Sequence, residues 1–196
     1  MKVAILIPAR FSSSRFPGKP LANLLGKPMI IWVAEICSRL KNVSVYVATD
    51  DERISSTVRS YGYETIMTSQ NALTGTDRIA EASRSINADI FINVQGDEPM
   101  ISPHDILKVI EEKKKHPDKI INCFTKLSDG EAPEDINIPK VVFDKNNNLL
   151  YISRSKIPGN KSENSSLKEF FKQVCIYAFT RAELESFISS NTKGIL

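Results

Sequence analysis

Five short apolar runs, Val3–Ile7, Val43–Ala48, Glu64–Thr68, Ile90–Val94 and Ile120–Phe124, are separated from one another by segments with helical spacing. Runs this short and continuous suit strands buried on both faces, and the spacers are long enough to be crossover helices. The alternation predicts an α/β domain with a mainly parallel sheet and helices on both faces. The helices have readable starts. Met29, Ile30, Trp32, Val33, Ile36 and Leu40 fall near one stripe after Pro28, and Thr49-Asp50-Asp51-Glu52 sets acids at the positive end of the next helix. A third covers Asp77–Ile86 with Thr76 as its N-cap, and a fourth runs from the N-cap Ser102, through Pro103 in its first turn, to Lys115.

The rhythm then breaks. Val141–Ile152 reads as two strands around an Asn-rich turn, a late β-hairpin arm rather than a crossover. A polar loop, Gly159–Ser166, leads to a last strand, Phe171–Phe179, and a helix, Arg181–Ser190. The 196 residues suit one domain, and 41% hydrophobic content is enough to build its core.

Composition excludes several classes. A net charge of +3, from 26 basic and 23 acidic residues, is too balanced for a nucleic-acid surface. Lys113 to Lys115 follow Glu111 and Glu112 and read as a solvated helix end, with cations near the negative dipole terminus. Cys37, Cys123 and Cys175 are scattered and odd in number, each in an apolar context that reads as core, which suits a reducing compartment; His104 and His116 are too isolated for a zinc site. The amino terminus lacks the apolar stretch and cleavage site of a signal peptide, and no run approaches the roughly 18 apolar residues of a membrane span. The expectation is a soluble, cytoplasmic protein with no nucleic-acid or membrane partner.

The chemistry lies in the loops that follow the strands, where open α/β sheets bind ligands. Between Pro8 and Pro20 the chain holds Arg10, Arg15 and Lys19 and no acid. With no G-x-G-x-x-G and no G-x-x-x-x-G-K-[ST], this loop would hold a polyphosphate by side-chain cations and hydroxyls as well as backbone N–H groups. After the fourth strand, Asn93-Val-Gln-Gly-Asp-Glu-Pro99 places Asp97 where a carboxylate facing three cations suits a magnesium–nucleotide, since Mg²⁺ takes one or two carboxylates plus substrate phosphates. Glu98 could orient the loop, contact a sugar or serve the approach to the next helix. Thr74-Gly75-Thr76-Asp77-Arg78 could bring backbone close to a base, with Arg78 reaching a ring carbonyl; Lys140, Ser153 and Arg154 could meet an acidic substrate.

Taken in order, Pro8-Ala-Arg-Phe-Ser-Ser-Ser-Arg-Phe-Pro-Gly-Lys19, Val47-Ala-Thr-Asp50, Gly75-Thr-Asp-Arg78, Asn93–Pro99 and Tyr151-Ile-Ser-Arg-Ser-Lys-Ile-Pro158 resemble the 3-deoxy-manno-octulosonate (Kdo) cytidylyltransferases, the CMP-Kdo synthetases, over almost the whole chain. The resemblance implies a Rossmann-like nucleotidyltransferase fold, with a nucleotide-binding part over 1–130 and a sugar-side and dimer part over 137–180. It implies transfer of CMP from CTP to the anomeric hydroxyl of Kdo with Mg²⁺, release of pyrophosphate, a homodimer and a place in lipopolysaccharide synthesis.

Carried over by resemblance, Ala9, Arg10, Ser13, Arg15 and Lys19 hold the triphosphate, and Thr74, Gly75 and Arg78 frame the cytosine and ribose. Gln95 and Asp97 lie beside the α-phosphate, with Asp97 on the metal; Arg10, Lys19 and Asp97 form the catalytic set. Lys140, Ser153, Arg154 and Tyr177 line the sugar side. Gln173 and Cys175 depart from the family's usual His and Gly, and the family continues with an acidic segment carrying a second metal-binding Asp, where this sequence ends at Leu196. Two alternatives remain open: a cytidylyltransferase for another acidic sugar, such as 8-amino-Kdo or a sialic-acid-like one, and a nucleotide-binding protein without turnover.

Overall fold

The computed structural model describes residues 1–12, 16–159 and 169–190. Along the chain run β1 (Val3–Ala9), β2 (Asn23–Leu24), β3 (Lys27–Pro28), α1 (Met29–Ser38), β4 (Val43–Thr49), α2 (Glu52–Ser60), β5 (Glu64–Met67) and α3 (Gly75–Ser83). There follow β6 (Ile90–Val94), α4 (Pro103–Lys115), β7 (Ile121–Lys126), β8 (Lys140–Phe143), β9 (Leu149–Ser153), β10 (Phe171–Thr180) and α5 (Arg181–Ser189). Contacts divide the chain into two units, Met1–Ile121 with the chain from Ile176 onward, and Asn122–Cys175.

In the first unit the strands lie in the order β5-β4-β1-β6-β10. The first four are parallel, with Val3 opposite both Val43 and Ile90, and β10 runs antiparallel to β6. All residues of β1 and β6 are buried, as a strand covered on both faces requires. Ala4 and Leu6 join a core cluster with Ile79, Ala80, Phe91, Phe179 and Leu184. Strand order reverses at β1, since β4 and β5 lie to one side and β6 to the other, and the carboxyl ends of β1 and β6 flank that switch point.

Helix starts follow local chemistry. Asp51 caps α2 by accepting from the Arg53 N–H at 2.9 Å, and the Arg53 guanidinium holds its carboxyl below the usual carboxylate range. Ser102 caps α4 as expected. The α3 cap is Thr74 rather than Thr76, because Thr74 and Asp77 close a capping box that starts the helix two residues early. Thr180 and Glu183 form the same box at α5.

Lys113 corrects the solvated helix end expected for Lys113–Lys115. It is fully buried, and its ammonium donates to the carbonyls of Pro117 (3.2 Å) and Lys119 (2.6 Å) and to both oxygens of Glu183 (2.8 and 2.7 Å). The α4 terminus is folded against the start of α5, which turns one member of the cationic run inward. A small β2–β3 hairpin, absent from the elements expected from the sequence, has Leu25 and Gly26 at its tip at φ 52° and 84°. Cys37 is buried, and burial pushes its thiol up to about 12, whereas Cys123 and Cys175 are only half-buried, so the core expectation holds for the first cysteine alone. No described helix is long and apolar enough to cross a membrane.

In the second unit β8 and β9 form the expected hairpin, with Asn147 at φ 61° and the Asp144 carboxylate accepting from the N–H groups of Asn146 and Asn148. The first half of β10 pairs with β8, and Phe124, Phe143 and Phe171 cluster with ring centroids 4.3–5.8 Å apart. Beyond Gly159, the loop predicted to end at Ser166 lies outside the described residues.

Candidate active site

At the switch point of the first unit opens a cleft of about 650 Å³, lined by the ends of β1 and β6, the segment 16–20 and the segment 72–78. It gathers Ala9, Arg10, Lys19, Thr74, Gly75, Arg78, Gln95 and Asp97. Ser13 and Arg15 lie outside the described residues.

The cationic loop is shaped by its closure. The Gly18 N–H donates to the Phe11 carbonyl at 2.9 Å, and Gly18 sits at φ 71°, where a Cβ would also press the Phe11 ring at 3.1 Å; glycine is required there. The Arg53 guanidinium lies 3.3 Å from the centroid of the Phe11 ring, so the start of α2 steadies the loop from outside. Gly18 leads into a short 3₁₀ turn, Lys19–Leu21, that carries Lys19 to the cleft. There its ammonium meets the Asp97 carboxylate at 2.5 Å, both side chains remaining partly exposed. Asp97 follows Gly96, whose position a Cβ could not share with Ile30 Cδ1 at 2.8 Å and the Pro8 carbonyl oxygen at 3.1 Å. A cation and a carboxylate from separate strand ends thus share the mouth of the cleft, beside the exposed Arg10.

Across the cleft, the Thr74 hydroxyl is used in the capping box: it donates to Asp77 at 2.7 Å and accepts from the Asp77 N–H at 3.2 Å. Gly75 lies against Pro8 and Gln95, and Gln95 donates to the buried Asn93 at 3.4 Å. Arg78 is 3% exposed and is gripped by Asp50 at 2.9 Å and Thr68 at 2.5 Å. Arg78, expected to reach a ring carbonyl, thus already has much of its guanidinium engaged within the protein.

Of the residues expected on the sugar side, Lys140, Ser153 and Arg154 lie in the second unit and Tyr177 in the first. Lys140 is fully buried, its ammonium donating to the Asp135 and Arg154 carbonyls at 2.6 and 2.5 Å, so its charge holds the base of the β8–β9 hairpin instead of facing an open surface. Arg154 is exposed yet donates to the carbonyls of Ile136 and Asn137 at 2.9 and 3.2 Å. The Ser153 hydroxyl accepts from the Ser155 N–H. Tyr177 belongs to the first unit, half-buried and stacked on Phe179 with centroids 6.1 Å apart.

A cytidylyltransferase family profile matches residues 4–191, nearly the whole chain. The chain belongs to the cytidylyltransferase family. The 8-amino-3,8-dideoxy-manno-octulosonate cytidylyltransferase of Shewanella pealeana is 43% identical over 193 residues, 95% of this chain and 78% of that protein. Its counterpart from Shewanella frigidimarina is 42% identical over the same shares. A solved structure of CMP:2-keto-3-deoxy-manno-octonic acid synthetase complexed with CTP matches with a TM-score of 0.91 at 38% identity, covering 100% of this chain and 80% of that one. The fold is therefore that of a CMP-Kdo synthetase, and the protein is a nucleotidyltransferase of that family.

Sequence reasoning missed part of this cytidylyltransferase cleft. Phe16, Ala72 and Leu73 line it, and Leu73 is 73% exposed. An apolar residue inside the polar stretch 68–77 was the available signal. Asp50 stands in the sequence reading as an acid at a helix start and as the end of the Val47-Ala-Thr-Asp50 motif, with no role of its own; its partner Arg78 is 28 positions away, a separation that carries no local pattern.

Proposed function

We propose that this cytidylyltransferase moves CMP from CTP to the anomeric hydroxyl of a 3-deoxy-manno-octulosonate, either Kdo or its 8-amino analogue, and releases pyrophosphate. The observation that carries the reading is the Lys19–Asp97 contact at the mouth of a cleft that also holds Arg10. A carboxylate is a hard-oxygen donor suited to a dication once the Lys19 ammonium is drawn off to the phosphates, and one carboxylate plus substrate phosphates is a common way to hold Mg²⁺. Asp97 would hold Mg²⁺. When bound, the ion supplies neutralisation of charge at the phosphates.

In this reading Lys19 exchanges Asp97 for the β- and γ-phosphates, and Arg10 takes further phosphate charge. The sugar hydroxyl oxygen forms a bond to the α-phosphorus, the bond from that phosphorus to the bridging oxygen breaks, and its electron pair leaves with pyrophosphate. The hydroxyl proton passes to water. Positioning and charge stabilisation supply the rate. The curated relatives carry the 8-amino name and the solved structure the Kdo-type name, so both sugars belong to the proposal. Homodimerisation is part of the same reading; it is supported by Leu149, Leu150 and Tyr151, which are exposed on β9, and the mass of the chain in solution tests it.

Pyrophosphate release with CTP and each of Kdo, 8-amino-Kdo and a sialic acid tests the reaction. Turnover with one or both octulosonates is expected. Turnover with the sialic acid alone contradicts the substrate class.

A further inference from the structure

The Asp50–Arg78 pair ties together three pieces of chain that meet at one wall of the cleft. Arg78 sits in the first turns of α3, Asp50 directly follows β4, and Thr68 directly follows β5. The guanidinium reaches Asp50 at 2.9 Å, the Thr68 hydroxyl at 2.5 Å and, more distantly, the Ser69 carbonyl at 3.5 Å. The Thr68 N–H donates to the Thr49 carbonyl at 2.8 Å, and the Ser69 N–H donates to Glu81 at 2.7 Å, so α3 clamps the loop at a second point. From these anchors the loop continues to Ala72, Leu73 and Thr74, which line the cleft with Gly75 and Arg78. Leu73 is mostly exposed, so the tip of this wall is not packed into a core. Its shape is set by the polar clamp at its root.

We propose that Asp50 is a positioning residue for recognition of the nucleotide base: it fixes the Arg78 guanidinium, and through it the 68–74 loop, in the geometry that selects the base. The inference rests on the reading of the cleft as a CTP site and needs neither the metal nor the sugar. Arg78 is 3% exposed and the Asp50 side chain 15%. An ion pair this buried often adds little stability over an apolar pair, and its best-attested use is to fix one arrangement among several. A guanidinium offers five N–H donors in one plane. With Asp50 and Thr68 holding one side, that plane is set, and the donors they do not use keep a fixed direction at the cleft wall. Without the Asp50 charge, the cation's strongest alternative partner in the cleft is a bound polyphosphate, and a wall that leans toward phosphate reads any triphosphate alike.

The test is binding of CTP, UTP and CMP to the full chain and to two variants. Asp50→Asn keeps the shape and removes the charge. Thr68→Val leaves the ion pair intact and removes the acceptor on the loop, so it serves if Asp50→Asn does not fold. The expected result is a loss of CTP-over-UTP preference by about tenfold or more in Asp50→Asn, and by several-fold in Thr68→Val, as for a site built around hydrogen bonds to its substrate. The CTP-to-CMP ratio stays unchanged or rises, since Lys19 and Arg10 are untouched. General loosening of the fold would instead lower all three affinities and leave the CTP/UTP ratio unmoved. A CTP/UTP ratio preserved in the folded variants overturns the role of Asp50 alone. A parent chain that binds CTP and UTP equally overturns the base-site reading, and the role of Asp50 with it.

Discussion

Gly96 places Asp97 in the cleft by letting the chain just after β6 pass close to the Pro8 carbonyl oxygen and the Ile30 side chain, a spacing that leaves no room for a side chain at position 96. The carboxylate held there is met by Lys19, and the pair is exposed enough (39% and 46%) that its removal affects stability little, roughly 0–1 kcal/mol. In the proposed function its value lies in ligand binding. Lys19→Ala should leave the melting temperature nearly unchanged while the CTP-to-CMP affinity ratio falls about tenfold, as for loss of a charge-assisted phosphate contact; calorimetry with both nucleotides measures it. An unchanged ratio would make the basic loop an ordinary solvated turn. That Arg10, Lys19 and Asp97 meet at one cleft was legible in the sequence, because the loops after the strands of an open α/β sheet gather at one edge. The burial of Arg78 and Lys140 was not, because each is decided by partners supplied from distant elements or by carbonyls that leave no mark in a side-chain pattern.

Among the elements, α4 and α5 show how tertiary contacts override a surface-like pattern. Glu111 to Lys115 looks like any solvated helix end, yet Lys113 is fully enclosed, and Glu183 serves both the α5 capping box and the buried ammonium. Lys113→Met would remove one partner of a buried pair and leave Glu183 without its cation, a change that typically costs about 3–5 kcal/mol. The melting temperature should drop by on the order of 10 °C. A Lys113→Met protein that melts with the parent would mean that this lysine is solvated in solution. At this scale most strands and helices were legible from periodicity and caps, with ends moved by a few residues, and α3 runs from Gly75 to Ser83 rather than from Asp77 to Ile86 because the capping box of Thr74 and Asp77 starts it early. The β2–β3 hairpin was hidden because two-residue strands carry no period.

For the molecule as a whole, the alternation of apolar runs and helical spacers specified the parallel sheet of the first unit, and with it the edge where a ligand would sit. Which base and which sugar that edge accepts are properties of the loops, whose geometry depends on clamps such as Asp50–Arg78 rather than on the period of the sheet. In the proposed function the cleft between β1, β6 and α3 is a CTP site. Calorimetric titration of the chain with CTP and with GTP in the presence of Mg²⁺ tests it most directly. CTP should bind at least about tenfold more tightly, because cations alone hold either triphosphate and only the wall formed by 72–78 separates the bases. Equal affinities for CTP and GTP would mean that the cleft does not select cytosine.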